Sequence, residues 1–278
     1  MKRVKQLFDF YINSSIHVAL AVYSLSYLTL LEYDISYDEN ILYFIFFATI
    51  TGYNFVKYFG IAKFHHRSLT NWLKAIQVFS LFSFILMLYY VSQLHTNTLF
   101  YILIFALITF LYAIPFLPKR FFLDGQHNLR TISGLKIYLI ALVWSGVTVF
   151  IPLINNDYYI NTDVVITAAQ LYVFVLVLML PFEIRDLRYD SLKLSTVPQK
   201  IGVKQTKMLG VLLLSVFFIL DFFKNETSSA TKIFILIGIL TLTALLVLFA
   251  KKEQGKYYSA FWVEGLPILW LILVLYFN

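Results

Sequence analysis

The chain of 278 residues contains no cysteine and few charged residues. The absence of cysteine excludes disulfides, thiolate metal ligands, iron–sulfur clusters and cysteine nucleophiles. Charged residues make up 13% of the chain and hydrophobic residues 60%, whereas soluble domains carry about a quarter of charged residues. This composition is typical of a protein that lies within a membrane.

Nine apolar stretches, each a candidate for a helix that crosses the bilayer, account for most of the sequence. They lie approximately at 13–31, 41–59, 75–93, 97–115, 134–154, 163–182, 208–223, 232–250 and 259–277. Their residues lack the alternation that a membrane β-barrel requires. We therefore expect an all-α polytopic membrane protein, a bundle of nine transmembrane helices that forms a single domain over residues 1–278.

The basic residues are distributed unevenly among the segments that join these stretches. With the N-terminus in the cytoplasm, 20 of the 22 Lys and Arg residues lie on the cytoplasmic side, and Lys224 and Lys232 lie outside. The positive-inside rule requires such an asymmetry. Topology thereby explains the net charge of +7, and we expect no nucleic-acid partner. The expected location is the inner membrane of a bacterium, with a polar chamber that faces the cytoplasm.

The most informative polar segment follows the sixth apolar stretch. Glu183, Asp186 and Asp190 stand at positions i, i+3 and i+7, which places them on one face of a helix. Carboxylates at membrane depth are costly, and three on one face repel each other unless a cation lies among them. The pattern predicts a Mg²⁺ site beside a phosphate-bearing ligand. The alternative is a set of interfacial salt bridges with Arg185 and Arg188.

A loop of the pattern T-x-P-x-x-x-G follows the acidic segment and is formed by Thr196, Pro198 and Gly202. Three other segments are informative, and they lie in the second, fourth and ninth apolar stretches or directly after them. They are Thr51-Gly52-Tyr53-Asn54, Tyr112-Ala113-Ile114-Pro115 with Lys119-Arg120, and Trp262-Val263-Glu264-Gly265. Together with the acidic segment, these features resemble the UbiA superfamily of intramembrane prenyltransferases. The resemblance extends over nearly the whole chain.

The resemblance implies the transfer of an isoprenyl group. In the family, two acidic motifs bind Mg²⁺ ions that hold the diphosphate of the donor, and metal and cations stabilise the departing pyrophosphate. The first family motif is approximately N-D-x-x-D-x-x-x-D. In this chain the corresponding segment keeps Asn54 and has none of the three aspartates, and Lys57 precedes the position expected for the second.

The resemblance also implies a role for each matched residue. Asp186 and Asp190 would ligate Mg²⁺, with Glu183 as a direct or water-mediated ligand. Asn54 would hold the donor or the metal, and Lys57 would replace the missing acids as a counter-charge for phosphate. The other residues expected to bind substrate are Tyr53, Tyr112, Lys119, Arg120 and Arg130.

We therefore expect a membrane-embedded prenyltransferase-like enzyme that moves an isoprenyl group from a prenyl diphosphate to a lipid-soluble acceptor. Two alternatives stay open because the first motif is missing: a divergent isoprenoid-processing enzyme such as a terpene cyclase, and a non-catalytic lipid-binding relative that kept the fold. We interpret Glu264 as a carboxyl bonded to a neighbouring helix, and Trp144 as a packing residue. The sequence specifies neither the acceptor, nor the length of the donor, nor an oligomeric state.

Overall fold

A computed structural model describes residues 2–64, 71–113, 134–188, 195–225 and 229–277. Helices dominate these ranges, and no strand occurs within them, which confirms the expected all-α class. The helices are α1 (Lys2–Asn13), α2 (Ile16–Glu32), α3 (Glu39–Phe64), α4 (Asn71–Val91), α5 (Thr96–Ala113), α6 (Lys136–Ser145), α7 (Ile151–Asn155), α8 (Thr162–Asp186), α9 (Val197–Asp221), α10 (Ala230–Phe249) and α11 (Leu266–Phe277). There are also two π-helical segments. Gly146–Phe150 joins α6 to α7, and Tyr258–Val263 precedes α11.

A helix overlaps each of the nine apolar stretches. Within the described ranges, six helical rods are long and apolar enough to cross a membrane, and α1 with α2, bent by 53° at their junction, would make a seventh. Helix α5 is a shorter apolar helix, and α3 carries Asn54 and Lys57 among its apolar residues. The chain is therefore an integral membrane protein by its helices, and the number of nine spans stays a prediction.

Helix α8 is the central helix of the bundle. It packs against α6, α9, α10 and the π-helical segment Tyr258–Val263, and its side chains Phe174, Leu178 and Leu180 are fully buried. By contrast, α4 exposes Leu81, Phe82 and Ile85, as expected for a helix at a lipid-facing surface. Because α8 runs through the middle, its two ends meet the ends of several other helices.

Helix α1 is fastened to the segment that precedes α11. The ring of Phe8 packs edge-on against Tyr257 and Phe261, with centroids 4.9 and 5.0 Å apart. The Asp9 carboxylate accepts hydrogen bonds from Lys256 and from the Tyr257 hydroxyl. The bond to Asp9 raises the pKa of Lys256 above its usual value. These contacts hold the junction between α1 and α2 against the start of α11.

Candidate functional site

The junction between α1 and α2 is tied to α3 through Asn54. Ser14 and Ser15 are buried, and Ser15 has a left-handed backbone with φ 66°. Asn54 accepts from the Ser15 hydroxyl at 2.8 Å, and its amide nitrogen donates to the Ser14 carbonyl at 3.0 Å and to Ser80 Oγ at 2.8 Å. Both amide hydrogens are thus used. Asn54 joins three helical elements, and its predicted contact with donor or metal stays a prediction.

Lys57 lies one turn further along α3, on the same face as Tyr53. Its side chain is exposed, its Nζ donates to Ser15 Oγ at 2.8 Å, and it lies 5.8 Å from the centroid of the Tyr53 ring. The Tyr53 hydroxyl in turn accepts from the Trp144 indole nitrogen at 2.8 Å. Trp144, interpreted from sequence as a packing residue, therefore also orients a predicted substrate-binding tyrosine.

Glu264 brings a carboxylate to the same region. It follows the π-helical segment before α11, is half-buried, and interacts electrostatically with Lys57, Arg185 and Tyr53. From the sequence, Glu264 was interpreted as a carboxyl bonded to a neighbouring helix. That interpretation did not anticipate that Glu264 lies near the cations Lys57 and Arg185. The acidic–glycine pair at 264–265 was the signal that could have revealed it.

The start of α11 can approach α2 because residue 265 is glycine. A Cβ at Gly265 would lie 2.6 Å from the Phe261 carbonyl oxygen and 3.3 Å from the His17 ring. His17 itself bridges the Tyr11 hydroxyl, at 2.7 Å, and the Phe261 carbonyl, at 3.0 Å. The closeness of these two helices places Glu264 near the α1–α2 junction.

The predicted residue Tyr112 lies at the end of α5. It is half-buried and lies near Tyr53, so the structure brings the two predicted substrate-binding tyrosines to the same region. The other predicted cations of the site, and the third acidic residue, lie outside the described ranges: Lys119, Arg120, Arg130 and Asp190.

Glu183 caps a helix. Its side chain is 3% exposed, and Oε2 accepts from the backbone N–H of Val197, the first residue of α9, at 3.1 Å. A carboxylate at this end of a helix is stabilised by the helix dipole and satisfies an N–H that has no partner within the helix. Gln199 supports the same turn by accepting from the Thr196 N–H at 3.0 Å.

Asp186 is paired with two cations. Its Oδ1 lies 2.8 Å from both Nε and Nη2 of Arg185, and its Oδ2 lies 3.5 Å from Lys136 Nζ. Arg188 is directed elsewhere and pairs with Glu253 at 3.1 Å. The salt bridges that the sequence offered as the alternative to a metal site are therefore present on this segment.

We call Tyr53, Lys57, Arg185, Asp186 and Glu264 the inner polar cluster.

The described residues do not by themselves form a metal cage. Within them, no three His, Asp or Glu side chains are grouped so as to hold a metal ion. Glu183 is engaged with the start of α9, Asp186 with two cations, and the place of the first acidic motif carries Lys57. Mg²⁺ binding through Asp186 and Asp190 stays a prediction.

Buried polar atoms without partners gather at the same end of the bundle. Among the described residues, four buried side-chain atoms lack a hydrogen bond: Ser14 Oγ, Thr51 Oγ1, Thr196 Oγ1 and Gln254 Oε1. Three of them are next to a residue already placed there, since Ser14 bonds Asn54, Thr196 precedes Val197 and Gln254 donates to the Pro181 carbonyl in α8; Thr51 lies one turn before Asn54 on α3. Buried polar atoms are normally satisfied, so this end can accommodate a polar ligand or water.

Comparisons with known proteins identify the fold. No family model matches the chain, and no curated protein matches it in sequence. A similar solved structure is that of a digeranylgeranylglyceryl phosphate synthase in membranes. The match covers 100% of this chain and 98% of the synthase chain, with a TM-score of 0.56 and 17% sequence identity. The chain has the fold of that synthase. At this identity the match to digeranylgeranylglyceryl phosphate synthase establishes the architecture alone.

Proposed function

We propose that the protein is a divergent member of the UbiA superfamily, a membrane-embedded prenyltransferase-like enzyme. It would move an isoprenyl group from a prenyl diphosphate to a lipid-soluble acceptor. The observation that carries the proposal is the likeness to digeranylgeranylglyceryl phosphate synthase along the entire chain. The inner polar cluster at one end of an otherwise apolar bundle supports it, because a prenyl diphosphate needs a charged site beside an apolar tunnel.

The reaction divides into one bond broken and one bond formed. The bond between the first prenyl carbon and the diphosphate oxygen breaks, and pyrophosphate leaves with the electron pair. The nucleophilic atom of the acceptor then bonds to that carbon and loses its proton. No residue of the described ranges is required to form a covalent intermediate.

The inner polar cluster supplies charge for the first of these steps. Lys57 and Arg185 offer hydrogen-bond donors and positive charge to the departing pyrophosphate, and the carboxylate of Glu264 lies within electrostatic range of both cations. Lys57 lies 5.8 Å from the centroid of the Tyr53 ring, and this contact helps to hold the cation at the site. Lys119, Arg120 and Arg130 remain predicted contributors.

The first experiment is a thermal stability measurement on the detergent-purified protein with geranylgeranyl diphosphate. A ligand that binds the folded state alone stabilises it by about 2.7 kcal/mol at a concentration of 100 times its Kd. We expect a saturable rise in Tm with the diphosphate and a much smaller rise with geranylgeraniol, which has the same chain and no charge. No rise with prenyl diphosphates of any length would contradict the proposal.

The same measurement with and without Mg²⁺ tests the metal prediction. If Asp186 and Asp190 hold Mg²⁺, the rise in Tm should require the ion, and Asp186→Asn should abolish this Mg²⁺-dependent rise while the variant without ligand stays folded. Asp157→Asn, at an exposed position in another loop, is the control. A rise that is independent of Mg²⁺ in the parent protein would indicate that cations alone recognise the diphosphate.

A second candidate, a non-catalytic lipid-binding relative, is favoured by one specific observation. Asn54, the one residue kept from the first acidic motif, has both amide hydrogens in structural bonds. Incubation with radiolabelled geranylgeranyl diphosphate and membrane lipid distinguishes the two functions. Release of pyrophosphate with a labelled lipid product would support the enzyme, whereas saturable binding without turnover would support the relative.

A further inference from the structure

A cavity lies at the opposite end of the bundle from the inner polar cluster. It has a volume of about 350 Å³ and is formed by α2, α8, α9, α10 and α11. Along α8, Asp163 at this cavity is about 35 Å from Asp186, at 1.5 Å per residue. A cavity of this volume is within the range of about 300–1,000 Å³ that is typical of small-molecule sites. We call it the outer cavity.

The floor of the outer cavity is apolar and aromatic. Phe217 and Trp270 line it, with ring centroids 6.3 Å apart, and both pack against Phe174, at 6.0 and 5.6 Å. Leu25 and Leu171 line the same floor and are buried in the bundle. A floor of packed rings holds its shape and favours an apolar chain.

The rim of the outer cavity is polar and contains one neutralised lysine. Lys224 contacts Glu32 directly and lies 3.5 Å from Asp221 Oδ1. Gln170 donates to the same Asp221 oxygen at 3.2 Å, and Thr167 Oγ1 donates to Glu32 at 3.1 Å. Since two carboxylates surround Lys224, this cation offers little attraction to an anionic ligand.

The charge of the rim is opposite in sign to that of the chain. Four acidic and two basic side chains line the cavity, which gives a formal charge of −2 by difference: Glu32, Asp34, Asp163 and Asp221 against Lys224 and Lys232. Asp34 is exposed at the rim and has no hydrogen-bond or ion-pair partner among the described residues. Within those residues no acidic group is arranged to hold a metal ion, so the charge favours an organic cation.

We propose that the outer cavity binds an amphiphile that carries a protonated amine and one short apolar chain. The ammonium group would lie at the rim, where Asp34 and Glu32 supply negative charge. The chain would lie on Phe217 and Trp270. A free alkylamine has this chemistry, and a membrane lipid with an amino head group shares it where part of one acyl chain enters the cavity. The proposal is independent of the function assigned to the inner polar cluster, because the two sites share no residue.

Octylamine is the first probe, with octanol and octanoate as matched chains of different charge. The protein in detergent should show a saturable rise in Tm with octylamine, an affinity for octanol at least tenfold lower, and no effect of octanoate. Equal stabilisation by octanoate would overturn the proposal. To identify the source, the protein is placed in nanodiscs of phosphatidylethanolamine or phosphatidylcholine. If a lipid amine is the natural occupant, phosphatidylethanolamine should compete with octylamine and phosphatidylcholine should not. If a free amine is the natural occupant, neither lipid should compete.

Two variants test the floor and the rim separately. Leu28→Trp places a large side chain at a residue that lines the cavity and should abolish the octylamine effect. Its control is Leu212→Trp on the exposed surface of α9, where Leu212 is 61% exposed. Asp34→Asn should raise the octylamine Kd about two- to fivefold, the effect expected for one exposed charge. Its control is Asp157→Asn, since Asp34 and Asp157 share a left-handed φ of 52° that Asn tolerates.

A fluorescence measurement tests the proposal even if the cavity-filling variant Leu28→Trp does not fold. A bromine-bearing alkylamine should quench tryptophan fluorescence in a saturable manner in the parent protein, and this component should be absent in Trp270→Phe. The same saturable quenching in Trp270→Phe, or an unchanged octylamine effect in a folded Leu28→Trp, would show that the amine partitions into the detergent surface and would overturn the proposal.

Discussion

Lys57 reverses the charge at a place where the resembling family carries an acidic motif. A lysine so close to a membrane interior is costly unless it has partners. Here Ser15 accepts from its ammonium group, the Tyr53 ring lies near it, and Glu264 supplies an opposite charge. These partners come from three separate parts of the chain. The residue is therefore held at a defined position, which suits a fixed counter-charge for phosphate.

Replacement of Lys57 tests that role at the scale of one residue. Lys57→Met should weaken the binding of geranylgeranyl diphosphate about ten- to hundredfold, since a charge-assisted hydrogen bond contributes about 1.5–3 kcal/mol. The readout is the concentration dependence of Tm. Lys74→Met, a change at an exposed cation of α4, should alter the affinity little. Equal losses in both variants would mean that the general positive field, and no specific contact, attracts the ligand.

At the scale of helices, the joint between α8 and α9 determines where the acidic segment points. Glu183 is directed towards the backbone of Val197, while Asp186, one turn later, meets Arg185 and Lys136. Although these two residues share a helical face, their carboxylates have different protein partners. The start of α9 lies beside the end of α8, and its free N–H groups need an acceptor, which Glu183 supplies.

Substitution of Glu183 distinguishes a structural carboxylate from a metal ligand. Glu183→Ala should lower the free energy of unfolding by about 1–3 kcal/mol, because the buried N–H of Val197 loses its acceptor. Glu183→Gln keeps an acceptor oxygen and should restore much of that stability. Unfolding by SDS titration measures both variants, with Glu253→Gln at an exposed position as the control. A variant Glu183→Gln that is as stable as the parent protein but insensitive to Mg²⁺ would instead indicate a metal ligand.

At the scale of the whole molecule, the two ends of the bundle differ in chemistry. One end carries the inner polar cluster and unpaired buried polar atoms, and the other carries the outer cavity with its acidic rim. The uneven distribution of Lys and Arg predicts that the first end faces the cytoplasm. Substrate for the proposed transfer would then arrive from the cytoplasmic side, while the outer cavity would meet lipids and solutes of the opposite side.

The absence of cysteine allows a direct test of this orientation. Single cysteines at Lys252 and Tyr159 lie at exposed positions of opposite ends, and Tyr159 is 82% exposed. In intact cells, a membrane-impermeant maleimide should label Tyr159→Cys and should leave Lys252→Cys unlabelled until the membrane is opened. The unsubstituted chain is the control for background. Labelling of Lys252→Cys alone in intact cells would reverse the predicted topology.

Local properties of the sequence were sufficient for the membrane class and for helices in all nine apolar stretches, whereas Tyr53, Lys57 and Asp186 were chosen through the resemblance to a known superfamily. Apolar length and a period of 3.6 residues act within a single helix, so a sequence expresses them directly. The likeness of the acidic segment and its loop to a known superfamily extended this to an expected architecture.

Contacts between distant segments were decided by the tertiary structure alone. Asn54 binds serines 39 and 40 positions before it, and Glu264 meets Lys57 across more than half of the chain. The outer cavity combines side chains from five helices, and none of these side chains belongs to a motif identified in the sequence. Such groups depend on how helices pack and which of their faces meet, and these are properties of pairs of helices that the periodicity of one helix does not contain.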